Sequence, residues 1–389
     1  MHATCAPART RSAVEMADVV RAYGPEFVQC RVLRPEQRKA LRDIERCRTA
    51  VLGGHLDLCT ACGYEQPSYN SCRNRHCPKC QSLAQARWID KRLERLLPVH
   101  YFHVVFTLPS ELRAVAMRSR EAIFDMLFAS ASETLLALGR DPKRLGGELG
   151  VTMVLHTWTR ELHVHPHVHA IVTGGGLSDD DARWVHARKD FLFPVRVMGA
   201  LFRGKMLAAL DRAHARGHID LGGVDVRALR SKSWIVYAKR PFGGPEQVIR
   251  YLGRYTHRVG ISNQRLVSID ERGVTFRTKD GNAITVTGHE MLARFVQHVL
   301  PPRFVKIRHY GLHASSHAKT RLEIARTRIA PAVAPPECVA RTDAEIADWR
   351  ELLLRLSGLD ARVCPACQQP ALVRVALPPP RCRAPPEAA

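Results

Sequence analysis

The stretch His163–Gly176 reads HVHPHVHAIVTGGG, and its alternation decides how the middle of the chain folds. Successive side chains of a β-strand point to opposite faces, so His167 and His169 share one face while Val168 points into the opposite layer. Two imidazoles at that spacing are close enough to share one divalent ion, and no neighbouring thiolate or carboxylate closes the ligand shell. The stretch therefore predicts a strand that carries an open metal site. A metal-storage tract and ordinary strand histidines are the alternatives.

Other strand-like segments lie on both sides of this stretch. They are rich in β-branched and aromatic residues, and each is bounded by glycine, proline or charge. These segments are Tyr101–Pro109, Val151–Thr159, Ser233–Ala238, Gly273–Thr278 and Ala283–Thr287. Asp280-Gly281 is typical of a hairpin turn, and apolar spacing predicts a long helix that ends at Gly139. Hairpin-linked strands mixed with helices favour an α+β fold with a central antiparallel sheet and flanking helices.

A second motif is a pair of tyrosines in a basic helix. Pro245 is placed at a helix start, and Tyr251 and Tyr255 follow it one turn apart on one face. A phenol has a pKa of about 10, so its attack on a phosphodiester needs a metal ion and nearby cations. The cations that this helix offers are Arg250, Arg254 and Arg258. With the histidine pair, the motif predicts metal-assisted cleavage of DNA by a tyrosine, and simple packing of the two rings is the alternative.

Two Cys-x-x-Cys knuckles predict a zinc site. Each knuckle can aim two thiolates at one tetrahedral ion, and four sulfur ligands leave no open position, so the ion is structural. Binding of zinc would fold a segment that has almost no apolar core of its own. The predicted tetrad is Cys59, Cys62, Cys77 and Cys80, with Cys72 and His76 as substitute ligands. The alternative is a set of free buried thiols.

The loop between these knuckles is basic. Arg73, Arg75 and Lys79 lie beside the predicted zinc ligands, where a rigid backbone would present them to phosphates. We predict that these three residues bind DNA. A merely solvated basic loop is the alternative.

The carboxyl-terminal part of the chain differs in composition. Beyond about residue 330 it is rich in proline, alanine and arginine, which predicts that it is partly disordered. Its Cys364-x-x-Cys367 pair is half of a metal site, and a lone pair is too weak to assign a metal. Residues that could complete the site are Cys338 and Cys382.

The charge balance restricts the class of partner. The chain has 389 residues, with 59 Lys and Arg against 37 Asp and Glu, which gives a formal net charge of +22 and indicates a nucleic acid partner. No phosphate-binding loop supports ATP-driven chemistry. No secretory signal or membrane-length apolar run is evident, so a cytoplasmic, nucleoid-associated protein without membrane contact is expected.

Four segments, taken together and in order, resemble the HUH-type tyrosine transposases of rolling-circle insertion sequences, the insertion-sequence-ninety-one family. The segments are NSCRNRHCPKCQ (70–81), HVHPHVHAIVTGGGLS (163–178), YLGRYTHRVGISNQRL (251–266) and IRHYGL (307–312). The resemblance implies a helical zinc-binding, DNA-binding domain (1–97), an HUH nuclease domain (98–325) with the histidines on a middle strand, and a carboxyl-terminal extension (326–389).

The resemblance also implies roles for individual residues. His167 and His169 would bind Mg²⁺ or Mn²⁺, and a third ligand is usual in such enzymes. Spacing suggests His165, on the same strand face, or Gln247, one turn before the first tyrosine. Tyr251 and Tyr255 would alternate as nucleophiles on single-stranded DNA and leave a 5′-phosphotyrosine; which one attacks first stays open, as does the oligomeric state.

Two rival functions remain at the level of sequence. A replication initiator or relaxase would use the same HUH chemistry, and only the zinc segment ahead of the nuclease favours transposition. A non-enzymatic zinc protein that regulates transcription would use the histidines for storage and the tyrosines for packing. The enzyme hypothesis alone requires a tyrosine hydroxyl within reach of a phosphate bound at the histidine pair.

Overall fold

The computed structural model describes residues 14–93, 95–239, 253, 260–278, 281–329, 350–351, 353–354, 358 and 360–380. The chain divides into two compact units. The first unit comprises residues 1–87, 257–299 and 340–389, and the second comprises residues 88–256 and 300–339. Segments from the middle and the end of the chain group with the amino-terminal part in this division, and the domain boundaries after residues 97 and 325 stay predictions.

Helices and antiparallel sheets alternate along the described residues, which confirms the predicted α+β fold. The helices are α1 (Met16–Cys30), α2 (Pro35–Arg46), α3 (Ser82–Leu93), α4 (Arg113–Arg118), α5 (Arg120–Arg140), α6 (Val195–Ala215), α7 (Val226–Ser231), α8 (Gly288–Val296) and α9 (Arg321–Ile329). The strands are β1 (Gly54–Cys59), β2 (Glu65–Tyr69), β3 (Tyr101–Thr107), β4 (Glu148–Trp158), β5 (Val164–Leu177), β6 (Trp184–His186), β7 (Val236–Lys239), β8 (Leu266–Asp270), β9 (Gly273–Arg277), β10 (Ala283–Val286), β11 (Ile307–Gly311) and β12 (Leu372–Leu377).

The second unit is built on one antiparallel sheet. Its strand order is β11-β4-β5-β3-β7, and β6 pairs with the end of β5. The histidine stretch forms β5 in the middle of this sheet, as the sequence predicts. A middle strand is held by hydrogen bonds on both sides, so side chains on it are rigidly placed.

One face of this sheet forms the main hydrophobic core. Phe102, Val104, Val168 and Ala170 are almost completely buried there, with apolar side chains of α5 and α6 packed over them. Among the described helices, α5 is the one that is long and apolar enough by composition to cross a membrane. Within the protein, 61% of the most apolar stretch of α5 is buried, as expected of a core helix. This is the long helix that the sequence predicts to end at Gly139.

The opposite face of the sheet carries α3. Tyr101, Val154 and Ile171 point to this face, and Trp88 and Ile89 of α3 pack against them. By strand alternation this is also the face on which the β5 histidines lie. The sheet therefore has one apolar face and one face that combines packing against α3 with a polar cluster.

The first unit combines helices with two small sheets. α1 packs on α2 and on α8, and the buried amide of Gln37 donates to the carbonyl of Val296 at 2.8 Å. The sheets have the strand orders β12-β1-β2 and β10-β9-β8. β9 and β10 form the predicted hairpin, with Arg277 opposite Ala283. β12 lies in the carboxyl-terminal extension, so part of that extension is ordered; residues 381–389 are outside the described part.

Candidate functional site

Three imidazoles converge on the α3 face of the central sheet. His167 and His169 lie on β5, and His156 lies on the neighbouring β4, directly opposite His167 in the strand register. Each histidine has one ring nitrogen that lies within 4.8 Å of a ring nitrogen of each of the other two. The ring centroids of His156 and His169 are 4.3 Å apart, and those of His167 and His169 are 4.9 Å apart. This spacing fits one ion bound by three nitrogens.

Hydrogen bonds orient two of these rings. His167 Nδ1 lies 2.6 Å from the carbonyl oxygen of His165, to which it donates, and this leaves its Nε2 as the ligand atom. His169 Nδ1 lies 2.8 Å from Nε2 of His103 on β3, and the two rings stack at 10°. His103 therefore holds the ring of His169 from the neighbouring strand. Contacts of this kind are what fix the tautomer and direction of metal-binding histidines.

Burial keeps these histidines uncharged. It lowers the pKa of His103 and of His167 to about 4. The same cause, reinforced by neighbouring histidines, holds the pKa of His156 and of His169 well below the usual range. Neutral imidazoles carry the lone pairs that bind a cation, so the cluster is ready to accept an ion at neutral pH.

The structure groups His156, and not His165, with His167 and His169, and the identity of the third ligand stays a prediction. His165 contributes its backbone carbonyl to His167, and its ring is not part of the three-nitrogen group. Gln247 lies outside the described residues. The third member is His156, which sequence reasoning missed although it lies within a predicted strand, Val151–Thr159. Its place depends on the register between β4 and β5, which no spacing along the chain reveals.

We expect the affinity of this cluster for Mn²⁺ to stay nearly constant from about pH 7.5 to pH 5. A proton competes with the ion only below the pKa of the ligand, and burial lowers that of His167 to about 4, so the loss begins near pH 4. Three exposed histidines would have an ordinary pKa near 6.5, and protonation of each at pH 5 would lower the affinity for Mn²⁺ about thirtyfold. Mn²⁺ titrations followed by electron paramagnetic resonance measure this affinity. A steady decline through pH 6 would contradict the expectation.

The predicted tyrosine helix is described at one residue. Tyr251, Tyr255 and the arginines of that helix (Arg250, Arg254 and Arg258) lie outside the described residues, whereas Gly253 is helical and buried. A Cβ atom at Gly253 would lie 2.5 Å from Cδ1 of Ile89 in α3. Because glycine has no Cβ atom, the backbone at Gly253 can approach α3 closely. α3 is the helix that covers the histidine face of the sheet.

A first cysteine cluster lies in the amino-terminal part of the chain. Cys47, which directly follows α2, joins Cys72, Cys77 and Cys80, and the four sulfur atoms lie within 4.8 Å of one another. Cys72 Sγ and Cys80 Sγ are 3.6 Å apart, and the N–H of Cys72 donates to Cys47 Sγ at 3.5 Å. Of the two substitute ligands left open by the sequence, Cys72 belongs to the cluster and His76 does not. Cys47 was missed because it has no Cys-x-x-Cys partner.

The predicted tetrad was wrong in its grouping, because its two knuckles lie in different clusters. Cys77 and Cys80 belong to the first cluster. Cys59 and Cys62 instead join the Cys364-x-x-Cys367 knuckle of the carboxyl-terminal extension, to which the sequence analysis assigned no metal. Cys338 and Cys382, the proposed partners of that late knuckle, lie outside the described residues. The second cluster comprises Cys59, Cys62, Cys364 and Cys367, again with all sulfur atoms within 4.8 Å.

The hairpin of β1 and β2 explains this separation. Cys59 ends β1 at the turn of the hairpin, whereas Cys72 follows β2 at the opposite end, where Tyr69 pairs with Gly54. The five residue pairs span four steps of about 3.4 Å, which place the two ends of the hairpin roughly 14 Å apart. One ion cannot bridge that distance, so each end has its own cluster.

The predicted DNA-binding residues of this loop have different surroundings. Arg73 is exposed. Arg75 is half-buried, and burial lowers the pKa of its guanidinium. Lys79 Nζ lies 2.5 Å from Glu15 Oε2, and about four-fifths of each side chain is buried. Lys79 therefore holds the loop against the residue before α1, while Arg73 is the one of the three that is open to a phosphate.

Two protein families match this chain. Residues 19–108 match a family described as "Transposase zinc-binding domain". Residues 150–321 match a family described as "Putative transposase". The first range contains the first cysteine cluster, and the second contains the three histidines.

Two curated proteins are similar over most of their length. "Putative transposase y4qJ" of Sinorhizobium fredii (strain NBRC 101917 / NGR234) is 41% identical over 397 residues, which cover 96% of this chain and 98% of that protein. "Transposase for insertion sequence element IS801" of Pseudomonas savastanoi pv. phaseolicola is 30% identical over 309 residues, with coverages of 71% and 72%. A solved structure, "Conjugative Relaxase TrwC in complex with mutant OriT Dna", aligns with 39% of this chain and 70% of that one at 14% identity, and its TM-score of 0.24 is too low to establish a shared fold.

Proposed function

The chain belongs to the insertion-sequence-ninety-one family of transposases, and from that premise we propose that it cleaves and rejoins single-stranded DNA at the ends of an insertion sequence. The reaction is a transesterification by a tyrosine that leaves a 5′-phosphotyrosine. The observation that carries this proposal is the cluster of His156, His167 and His169 on the central strands of the sheet. His156 is buried and His167 and His169 are partly buried, and their nitrogens converge closely enough to bind one ion.

The donor set fits a divalent ion with open coordination positions. His156, His167 and His169 would hold it through three nitrogens, which leaves room for phosphate oxygens. When bound, the ion would polarise the scissile phosphate and stabilise the charge that builds on it. Mg²⁺ prefers oxygen ligands, so of the two expected ions Mn²⁺ suits an all-imidazole set better.

Gly253 supports the two tyrosines as the nucleophiles. Tyr251 and Tyr255 are each two residues from Gly253, and two residues of chain span at most about 7 Å. Gly253 packs on Ile89 of α3, and α3 packs on the face of the sheet that carries the histidines. This contact places the segment beside the helix that covers the histidine face, but positions two apart on a helix point to opposite sides, so it does not direct either phenol. That a phenol reaches a phosphate held at the three histidines is our inference from the chemistry of the two motifs.

The proposed reaction conserves phosphodiester bonds. In cleavage, the oxygen of Tyr251 or Tyr255 forms a bond to phosphorus, the bond from phosphorus to the 3′-oxygen breaks, the phenol loses its proton and the 3′-oxygen gains one. A 3′-hydroxyl from another strand end reverses these steps and releases the tyrosine. No ATP is needed, because the phosphotyrosine retains the energy of the original bond. Arg250, Arg254 and Arg258 would offset charge on the phosphate.

The net charge of +22 supports DNA as the substrate. Arg73 and Arg75 lie beside the first cysteine cluster, which would hold a structural zinc ion, and Lys79 anchors the same loop through Glu15. We propose that this loop contacts phosphates, chiefly of the element ends. Binding would weaken steeply with added salt, because each phosphate contact releases counterions.

A covalent adduct tests this proposal. The protein is incubated with labelled single-stranded oligonucleotides that carry the element ends, in the presence of Mn²⁺, and adducts are detected after denaturation. We expect wild type to form the adduct and the double variant Y251F/Y255F to form none, because phenylalanine lacks the attacking oxygen. Each single variant shows which tyrosine attacks first.

The exposed Tyr237 on β7 offers a matched control, and Y237F should form the adduct as wild type does. An adduct that persists in Y251F/Y255F would overturn the assignment of the nucleophile. Binding of the oligonucleotide without any adduct in wild type would instead favour the non-enzymatic regulator. Transfer of the bound strand to a second oligonucleotide with a free 3′-hydroxyl tests the rejoining step.

A further inference from the structure

The two knuckles of the second cysteine cluster have the same backbone hydrogen bonds, although they lie about 300 residues apart. In the first knuckle, the N–H of Cys59 donates to the carbonyl of Tyr64 at 2.8 Å, and that of Gly63 donates to the carbonyl of Cys59 at 3.0 Å. In the second, the N–H of Cys364 donates to Gln369, and that of Gln368 donates to Cys364, both at 2.9 Å. The two knuckles are thus copies of one turn.

The fifth residue of each knuckle shares an unusual backbone conformation. Gly63 has φ of 73° and Gln368 has φ of 60°. Glycine adopts this left-handed region freely, whereas a glutamine there carries strain. A strained residue persists where its surroundings require that backbone shape, so the second turn is held in the geometry of the first.

The sulfur atoms have the spacing of a tetrahedral zinc shell. Cys59 Sγ and Cys367 Sγ are 3.7 Å apart, as are Cys62 Sγ and Cys364 Sγ. Zinc–sulfur bonds of about 2.3 Å in a tetrahedron place sulfurs about 3.8 Å apart, whereas a disulfide would need about 2.05 Å.

A strand pairing brings the knuckles together. β12 pairs with β1 over six consecutive residues, ending with Cys59 opposite Leu372. Arg374 on β12 contacts both carboxylate oxygens of Asp57 on β1, at 2.7 and 3.2 Å. The N–H of Thr60 continues the ladder to Ala371 at 3.0 Å.

This pairing buries little apolar surface. The four inner residues of β12 are exposed, and the exposed fractions of Val373 and Val375 are 49% and 47%. An edge strand without a buried face is not stable against the entropy of closing a loop of about 300 residues. Something besides hydrophobic packing must hold β12 on β1.

We propose that Cys59, Cys62, Cys364 and Cys367 bind a second structural zinc ion, which fastens the carboxyl-terminal extension to the amino-terminal cysteine-rich hairpin. Four thiolates close the shell, so the ion has no open position for a substrate. The zinc-binding part of this chain then needs residues 364–377 and is not complete within residues 19–108. The ion replaces the missing hydrophobic face as the source of stability for β12.

Zinc content of the purified full-length chain tests the proposal. Mass spectrometry of the metal should find two zinc ions per chain in wild type and one in C364S/C367S. The variant C30S is the matched control, because Cys30 is exposed and belongs to neither cluster, and it should retain two. One zinc in wild type, or two in C364S/C367S, would overturn the proposal.

Alkylation of wild type gives a second measurement that does not depend on a variant that folds. Cys62 is exposed, so a free thiol there should react with N-ethylmaleimide about as fast as Cys30. Bound zinc should slow alkylation of Cys62, Cys364 and Cys367 at least tenfold, and a zinc chelator should abolish that protection. Equal rates for Cys30 and Cys62 before chelation, or peptides joined by disulfides between the knuckles, would refute the second zinc.

Discussion

Replacing His156 by alanine is expected to lower adduct formation with Mn²⁺ at least about 100-fold. Loss of an orienting contact to a metal ligand alone costs about 10- to 100-fold, and loss of the ligand itself costs more. His156 is buried and lies opposite His167, where its ring nitrogen completes the three-nitrogen group. Rates of adduct formation at several Mn²⁺ concentrations measure the effect, and the apparent affinity for Mn²⁺ should fall with the rate.

His165→Ala is the matched control for this variant. His165 lies on the same strand as His167 and His169 and is one of the two candidates that spacing suggests, but it contacts His167 Nδ1 through its backbone carbonyl. Alanine retains that carbonyl, so cleavage should change by no more than a few fold. Equal losses in H156A and H165A would contradict the ligand assignment. Unchanged binding of the oligonucleotide by H156A would show that the loss concerns chemistry and not folding.

Replacing Cys72 by serine is expected to remove zinc from the first cysteine cluster and to unfold its surroundings. Structural zinc contributes roughly 10 to 16 kcal/mol of apparent binding free energy in small modules, and Cys72 supplies one of four sulfurs. Even a loss of about 3 kcal/mol in the free energy of unfolding would lower the midpoint temperature of thermal unfolding by roughly 10 °C. Calorimetry together with zinc content measures the change.

Cys30→Ser serves as the control for this variant, since it removes an exposed thiol from outside both clusters. It should leave both zinc content and thermal midpoint unchanged. If C72S retains all of its zinc, then the first cluster is not the ligand set. If C72S loses zinc with no change in thermal midpoint, then the ion does not stabilise this part of the chain.

Much of the histidine site follows from the local sequence. Strand side chains alternate, so the order of His167, Val168 and His169 places both imidazoles on one face wherever the strand lies. The apolar residues around them predict that the strand is buried, and the structure places it in the middle of the sheet. His156 and His103 could not be predicted in the same way, because their positions depend on which strands pair with β5 and in which register.

The cysteines show the same limit more sharply. A Cys-x-x-Cys spacing determines that two sulfurs point to one ion, because a short turn fixes both side chains. It does not determine which two knuckles share that ion. That choice depends on the β1–β2 hairpin, which separates Cys59 from Cys72, and on β12, which brings Cys364 to the turn.

The sequence by itself determined the α+β class, the β5 strand with its paired histidines, the presence of metal-binding knuckles and the attraction for nucleic acid. These properties depend on side-chain period, on turn chemistry and on charge, each of which acts within a short stretch of chain or on the chain as a whole. Only the tertiary structure decided the third histidine, the division of the cysteines into two clusters and the contact of Gly253 with α3. Those depend on strand register and packing between residues far apart in the chain, where many pairings satisfy the same local rules and the lowest free energy of the whole fold selects one.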